Sequence, residues 1–306
     1  EVVPKDPVWK LLMASVMVER RGFDGIWVSD HYFNRSSFMT LSLIAMNTRK
    51  ALLGPAVVNP YTTHPALIAQ NTLTLSEIAG GRVRLAIGAG DQLALKRLGI
   101  VREKPVEKVV QAVEAVKNIL SASSNSSTVA VLVGAQGERM ITASTKAADG
   151  VLVNWSSLEK LKKSAELLRQ TAPNRFRKAA YVITSVHEDE AKARKTVIPY
   201  AAYLMTGTSP KHLEEMGIDE DFRRRVENLL NSGSWEELYR SSSGEWVDEF
   251  AFWGNSRKLE EFSAEVLGMG YDEVVYAGPL GPRYIHALNK VSLICRRLRR
   301  EMAGIG

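Results

Sequence analysis

The sequence predicts an α/β fold, a (β/α)8 TIM barrel with a helical insertion before the last strand, and three observations carry that expectation. Short β-rich apolar runs alternate with longer segments of helical period, which is the pattern of a parallel sheet joined by crossover helices. About eight such units can be counted in 306 residues, close to the ~250-residue norm for a closed barrel once an insertion is added. Small and hydrogen-bonding residues gather where the strands end, as a site at one rim of a barrel requires.

The first strand is the stub at residues 1–3, and a helical pattern over 7–21 closes at Gly22. Residues 25–29 (GIWVS) read as the second strand, 38–47 as a helix and 51–58 as the third strand. The helix over 65–78 starts at Pro65, where a fixed φ and a missing N–H cost nothing, and Gly80-Gly81 turns it into a strand at 83–87. A helix at 106–120, a strand at 129–133, a helix at 140–148, a strand at 150–153 and a helix at 158–170 follow. Strands at 179–186 and 273–276 complete the count, separated by helical sequence to about residue 239. Residues 201–250 hold more helical material than one crossover needs and are the expected insertion. The polar run SASSNSS at 121–127 has no periodicity and reads as a loop. An open doubly wound sheet uses the same units and also places its site beyond the carboxyl ends of the strands, so both architectures direct attention there.

Composition narrows the class. With 45% hydrophobic and 24% charged residues the chain is of ordinary globular type. Its one cysteine, Cys295, lies in the apolar phase of VSLICRRLRR, so no intrachain disulfide is possible and a reducing, cytoplasmic setting is expected. No run approaches the ~20 apolar residues of a membrane span, so no membrane partner is expected. The net charge of +6 favours an anionic ligand, but its clusters FRRR and RRLRR lie on helical patterns, and no groove-reading motif accompanies them. Nucleic acid is therefore not an expected partner.

The strand ends carry the chemistry. They read Ser29-Asp30-His31-Tyr32, GPAVVNPYTTHP at 54–65, Gly88-Ala89-Gly90-Asp91-Gln92, Gly134-Ala135-Gln136-Gly137, Asn154-Trp155-Ser156-Ser157 and GPLGP at 278–282. Asn59-Pro60 and His64-Pro65 make the exit of the third strand stiff. Glycines let backbone N–H groups approach a large ligand closely, although turns of this composition also follow strands for packing alone. His31 and His64 have no second histidine or cysteine at ligand spacing, so no metal site is expected. No nucleophile elbow, phosphate loop or dinucleotide fingerprint appears. The chemistry is then a cofactor's, or simple acid and base work.

Taken in order, EVVPKDP, GFDGIWVSDHYFNR, GPAVVNPYTTHP, SEIAGGRVRLAIGAGD, VGAQGERM, ADGVLVN and GPLGP resemble the F420-dependent methylenetetrahydromethanopterin reductases of the bacterial luciferase-like superfamily, over nearly the whole chain. The resemblance implies one luciferase-like TIM-barrel domain spanning 1–306, a cytoplasmic homo-oligomer (dimer or tetramer) and hydride transfer from coenzyme F420 to a pterin-linked methylene group. FMN is the alternative cofactor. Another F420- or FMN-dependent oxidoreductase, or a non-catalytic cofactor-binding barrel, is the alternative function. A cis peptide between Ala56 and Val57 is implied, backing the deazaflavin ring. Asp30 and His31 match residues beside the deazaflavin head. With Ala56, Val57, Asn59, Gly88, Gly90, Asp91, Gly134, Ala135, Gln136, Gly137 and Asn154 they form the implied cofactor-binding set. Glu1 matches a strand-one glutamate that assists proton transfer at the pterin, and Glu1 and Asp30 form the implied catalytic pair. The ordinary readings beside these are a helix cap for Asp30 and a solvated strand end for Glu1. The chain departs from the family pattern at Ala56, usually glycine, in the short segment near 121–128, at Trp155, and at Trp253-Gly254-Asn255-Ser256.

Overall fold

The computed structural model describes residues 1–31, 33–123, 129–242 and 244–304. The chain forms two compact units: Glu1–Val153 with Glu166–Ala179, and Asn154–Ala165 with Ala180–Gly306.

The first unit alternates parallel strands with helices: α1 (Val8–Arg20), β1 (Gly25–Val28), α2 (Ser37–Asn47), β2 (Leu52–Pro55), α3 (Pro65–Ile78), β3 (Arg84–Gly88), α4 (Gln92–Arg97), α5 (Pro105–Ala122), β4 (Ala130–Ala135), α6 (Glu138–Ala147) and β5 (Gly150–Val153). β1 pairs with β2, β3 with β4 and β4 with β5, all parallel. Bridges Leu53–Val83 and Val58–Ile87 connect β2 to β3. The expected first strand is a single bridge, Val2 to Val28, in which Val2 N–H donates to Trp27 O at 2.8 Å and Ser29 N–H to Val2 O at 3.2 Å. One strand face packs on the helices through Ile26, Val28, Leu53, Leu85, Ile87, Val131, Val133, Val151 and Val153, all buried. Parallel strands covered in this way read as unbroken apolar runs, as the sequence pattern had it. The opposite face carries Trp27 and buried Arg84, whose guanidinium carbon lies 4.1 Å from the indole centroid. Gly25 and Gly54 leave room for that stack: a Cβ on Gly25 would meet Arg84 Nη2 at 2.4 Å.

The second unit holds β6 (Arg177–Val186) from residue 180 onward, α8 (Glu190–Gly207), β7 (Phe252–Gly254), α13 (Ser256–Gly268), β8 (Glu273–Leu280) and α14 (Tyr284–Met302). Helix α7 (Leu158–Thr171) begins in this unit. Four short helices stand between α8 and β7: α9 (Pro210–Glu215), α10 (Glu220–Ser232), α11 (Trp235–Ser241) and α12 (Trp246–Phe250). β6 pairs with both β7 and β8. Residues 201–207 of the expected insertion therefore continue α8, and the extra helices precede β7, a strand of three residues that the sequence pattern does not reveal. Of the expected polar loop, residues 121 and 122 end α5, and residues 124–127 lie outside the described residues. Cys295 is half-buried on α14 rather than part of the core.

Candidate active site

The bulge after β2 is the centre of the first unit's carboxyl rim. The Ala56–Val57 peptide is cis, as the resemblance implied. Ala56 N–H donates to Val28 O at 2.9 Å, Val58 N–H to Ala86 O at 2.9 Å and Gly88 N–H to Val58 O at 2.9 Å, so the bulge is bonded to β1 on one side and β3 on the other. Ala56, Val58 and Asn59 are buried while Val57 between them is half-exposed. The Val57 side chain rests on two glycines: a Cβ on Gly88 would lie 2.7 Å from its Cγ2, and one on Gly134 2.5 Å from its Cγ1. Those two glycines are a β3–β4 register pair. Their service is to the valine, which forms the apolar floor.

Asn59, fully buried, closes an Asx turn in which its Oδ1 accepts from Tyr61 N–H at 3.0 Å and Thr62 N–H at 3.1 Å. Its Nδ2 is buried without an acceptor, and so is the Ser29 hydroxyl without a partner at the end of β1. Buried polar groups are nearly always paired, so two orphans at adjacent strand ends mark places for a ligand's polar atoms. They fit a polar heterocycle of the deazaflavin kind.

Asp30 accepts from Ser37 Oγ at 2.6 Å, the first residue of α2. Burial pushes its carboxyl above the ordinary range, with the Ser37 hydrogen bond and the charge of His31 acting against the rise. The helix-cap reading goes instead to Ser36, whose side chain accepts from Met39 N–H. His31 is half-exposed beside it. Asp91 caps α4, its Oδ1 accepting from Ala94 N–H at 2.7 Å. Gly90 has φ of +72°, which only glycine adopts freely, and its carbonyl accepts from Arg102 Nη1 at 3.0 Å. Arg102 Nη2 also donates to Gln92 Oε1 at 3.0 Å, and next along the chain Glu103 O accepts from Tyr61 Oη at 2.5 Å. Burial lowers the Arg102 pKa, and the charge of Asp91 raises it. Gly134 and Ala135 end β4, Gln136 follows half-buried, and Gly137 is the N-cap of α6. Glu1 is half-buried, and the Val2–Val28 bridge puts it by strand alternation on the face shared by Trp27, Gly54 and Arg84.

In the second unit Asn154 follows β5, with its Oδ1 buried and without a partner, and Ser185, fully buried near the end of β6, has an unpartnered hydroxyl. Sequence reasoning missed Ser37 and Arg102, which hold Asp30 and the Gly90 carbonyl. Ser36-Ser37 ahead of an apolar run was a readable helix start; Arg102 reaches its targets from the α4–α5 connection and left no local signal. Among the described residues no cluster of three potential metal ligands occurs, and no helix is long and apolar enough to cross a membrane.

The profile of the luciferase-like monooxygenase family matches residues 7–273. The chain belongs to that family. Within it the chain sits among the methylenetetrahydromethanopterin reductases. It is 32% identical to the 5,10-methylenetetrahydromethanopterin reductase of Archaeoglobus fulgidus, over 92% of this chain and 93% of the relative. The enzyme of that name from Methanolobus tindarius is 29% identical over 95% and 97%. The solved structure of the coenzyme F420-dependent tetrahydromethanopterin reductase of Methanopyrus kandleri superposes with a TM-score of 0.84 at 25% identity, covering 95% of each chain. The luciferase-like TIM barrel is thus the fold of this chain. The resemblance read from seven motifs and the full-length comparisons agree.

Proposed function

We propose that the protein transfers a hydride between reduced coenzyme F420 and a methylene-tetrahydropterin, taking the one-carbon unit from the methylene to the methyl level. Bound F420 supplies the hydride chemistry. The observation that carries the reading is the half-exposed Val57 seated on Gly88 and Gly134, an apolar floor with the unpartnered Ser29 hydroxyl and Asn59 amide at its edges. A fused heterocycle that stacks on one face and hydrogen-bonds at its rim matches such a floor. Full-length similarity to enzymes named for this reaction supports the assignment.

The chain's own residues take distinct parts in this reading. Val57, with Ala56 behind it, backs the ring. Asn59 Nδ2 and Ser29 Oγ meet its polar edge, and the backbone of Gly88, Gly90, Asp91 and residues 134–137 lines the rest. Asp30, fixed by Ser37 and carrying its proton to higher pH than an ordinary aspartate, organises the ring head together with His31. Glu1 delivers a proton to the pterin nitrogen as the carbon accepts its hydride, so that charge does not build up on the amine. Exposed Met39, Leu43 and Met46 recur on one face of α2, with exposed Trp9 and Met13 on neighbouring α1, and this unpartnered apolar face supports a homo-oligomer. Arg139, a candidate for the anionic cofactor tail, lines a surface groove of about 640 Å³ that also holds Lys146, Glu114 and Glu138, so the groove itself offers no cationic surplus.

Visible titration with F420 and FMN, followed by stopped-flow mixing of the F420H2 complex with methylene-tetrahydromethanopterin, tests the reading. The expected result is tight F420 binding and oxidation of F420H2 within the mixing experiment. Binding of FMN alone, or F420H2 that stays reduced with every methylene-pterin, overturns it.

A further inference from the structure

At the exit of β5 the sequence runs Asn154-Trp155-Ser156, and the three side chains divide the work between ligand and scaffold. The Asn154 carbonyl oxygen is buried and receives no hydrogen bond. The next residue, Trp155, is a large side chain only 2% exposed in a loop. Its ring meets His212 of α9 edge-on, with centroids 5.9 Å apart, and Phe250 at the end of α12 at 6.0 Å. Lys160 Nζ lies 5.7 Å from the same centroid and 3.9 Å from Glu215 Oε2 of α9. Ser156 Oγ donates to Phe250 O at 3.1 Å, and this contact is buried. His212 is itself held, its Nδ1 3.0 Å from Ser209 Oγ. Two consecutive loop residues are therefore pinned to helices that lie more than fifty residues further along the chain.

We propose that Trp155 is a positioning residue: by wedging between His212 and Phe250 it fixes the β5 exit loop so that the Asn154 oxygen is presented, preorganised, to an N–H of the bound heterocycle. An amide on a free loop would have to be ordered at each binding event, and a loop already ordered by aromatic packing avoids that cost. The ligand class is a fused ring carrying an imide or amino N–H, chemistry that the deazaflavin and the pterin share. The inference rests on the reductase reading above.

The test is a double-mutant cycle read by separate equilibrium titrations with F420 and with methylene-tetrahydromethanopterin. Asn154→Ala and Trp155→Ala are each expected to weaken the same one of the two ligands roughly tenfold. Trp155→Ala should add nothing further once Asn154 is alanine, because it acts through that residue. Trp155→Phe, which keeps an aromatic ring against His212 and Phe250, should recover most of the affinity. The ligand that responds identifies the heterocycle that Asn154 receives. Amide exchange of ligand-free protein supplies an independent readout, with faster exchange at residues 155–157 expected in His212→Ala, the variant that also replaces Trp155→Ala in the cycle should the latter fail to fold. Additive losses, parental affinity in Trp155→Ala, or unchanged exchange in His212→Ala overturn the clamp. A parent that binds neither ligand overturns the functional reading instead, and the exchange result then decides the clamp by itself.

Discussion

Gly134→Ala is the sharpest test of the floor on which Val57 sits. The glycine has no left-handed backbone, so alanine is conformationally acceptable there and the change probes space alone. The added Cβ would stand 2.5 Å from Val57 Cγ1 but 3.5 Å from its Cβ, so the conflict is with the valine's methyls and with nothing nearer the backbone. Overpacking of this kind costs about 1–3 kcal/mol, a fall in Tm of roughly 2–12 °C at 2–4 °C per kcal/mol. Val57→Ala alone removes two half-exposed methyls, worth about 1 kcal/mol. In the double variant the closest approach relaxes to 3.5 Å, an ordinary contact, so Val57→Ala/Gly134→Ala should be no less stable than Val57→Ala. Thermal melts of the four proteins measure the cycle, and F420 titration should show Gly134→Ala binding more weakly because the floor has moved. Additive destabilisation, or a Gly134→Ala protein indistinguishable from the parent in both assays, would refute the seating of Val57 on the glycine pair.

Glu1→Gln should leave F420 affinity nearly unchanged and slow hydride transfer roughly 10²- to 10⁴-fold in stopped flow; an equally fast variant removes Glu1 from the chemistry. Asp30 has a raised folded pKa, so its contribution to stability is fully present below the ordinary aspartate value and is lost as pH rises through the folded one; Asp30→Asn should abolish that part of the stability–pH profile above about pH 4. Glu19 has the opposite sign: burial pushes its carboxyl up, but hydrogen bonds from the Ala51, Lys50 and Arg49 amides outweigh it, so its contribution is present above the ordinary glutamate value and is lost as pH falls through the lowered one. Glu19→Ala should destabilise by about 1 kcal/mol in urea melts at neutral pH, the net worth of hydrogen bonds whose donors are mostly solvent-exposed, and a neutral outcome would mean that water replaces the carboxylate. Leu43→Glu should shift the particle to a smaller mass in light scattering if the α2 face joins copies of the chain, and an unchanged mass places the interface elsewhere.

What the sequence disclosed depended on whether the cause was local. Helix α3 begins where Pro65 predicts, and β5 occupies the four residues expected of it, because a φ-fixing residue and a bounded apolar run each act within a few residues. β7 was invisible: Phe252-Trp253-Gly254 is too short to show a period, and its strand character comes from the hydrogen bonds of Thr184, Ser185 and Val186. The Asx turn at Asn59 was legible in kind from Asn-Pro-Tyr-Thr, whereas the unpartnered Nδ2 appears only when packing removes every alternative acceptor. Arg84 is a buried cation lying on an indole that the sequence places fifty-seven positions earlier, and no motif announces such a pair. Asp91, singled out with its glycines as a ligand-binding residue, has one carboxylate oxygen committed to its own helix, a use that Asp-Gln before an apolar segment does foretell.

The connection between α4 and α5 looks like a place where evolution or an engineer can add and remove residues at will. Adjacent residues within it have fixed appointments in two directions: Arg102 with the backbone of Gly90, and Glu103 with the hydroxyl of Tyr61 beyond the bulge. Its length is therefore a gauge that sets the spacing between two rim loops. A one-residue insertion ahead of Arg102 would carry both contacts out of register at once, and variation at this connection should be confined to side chains rather than length.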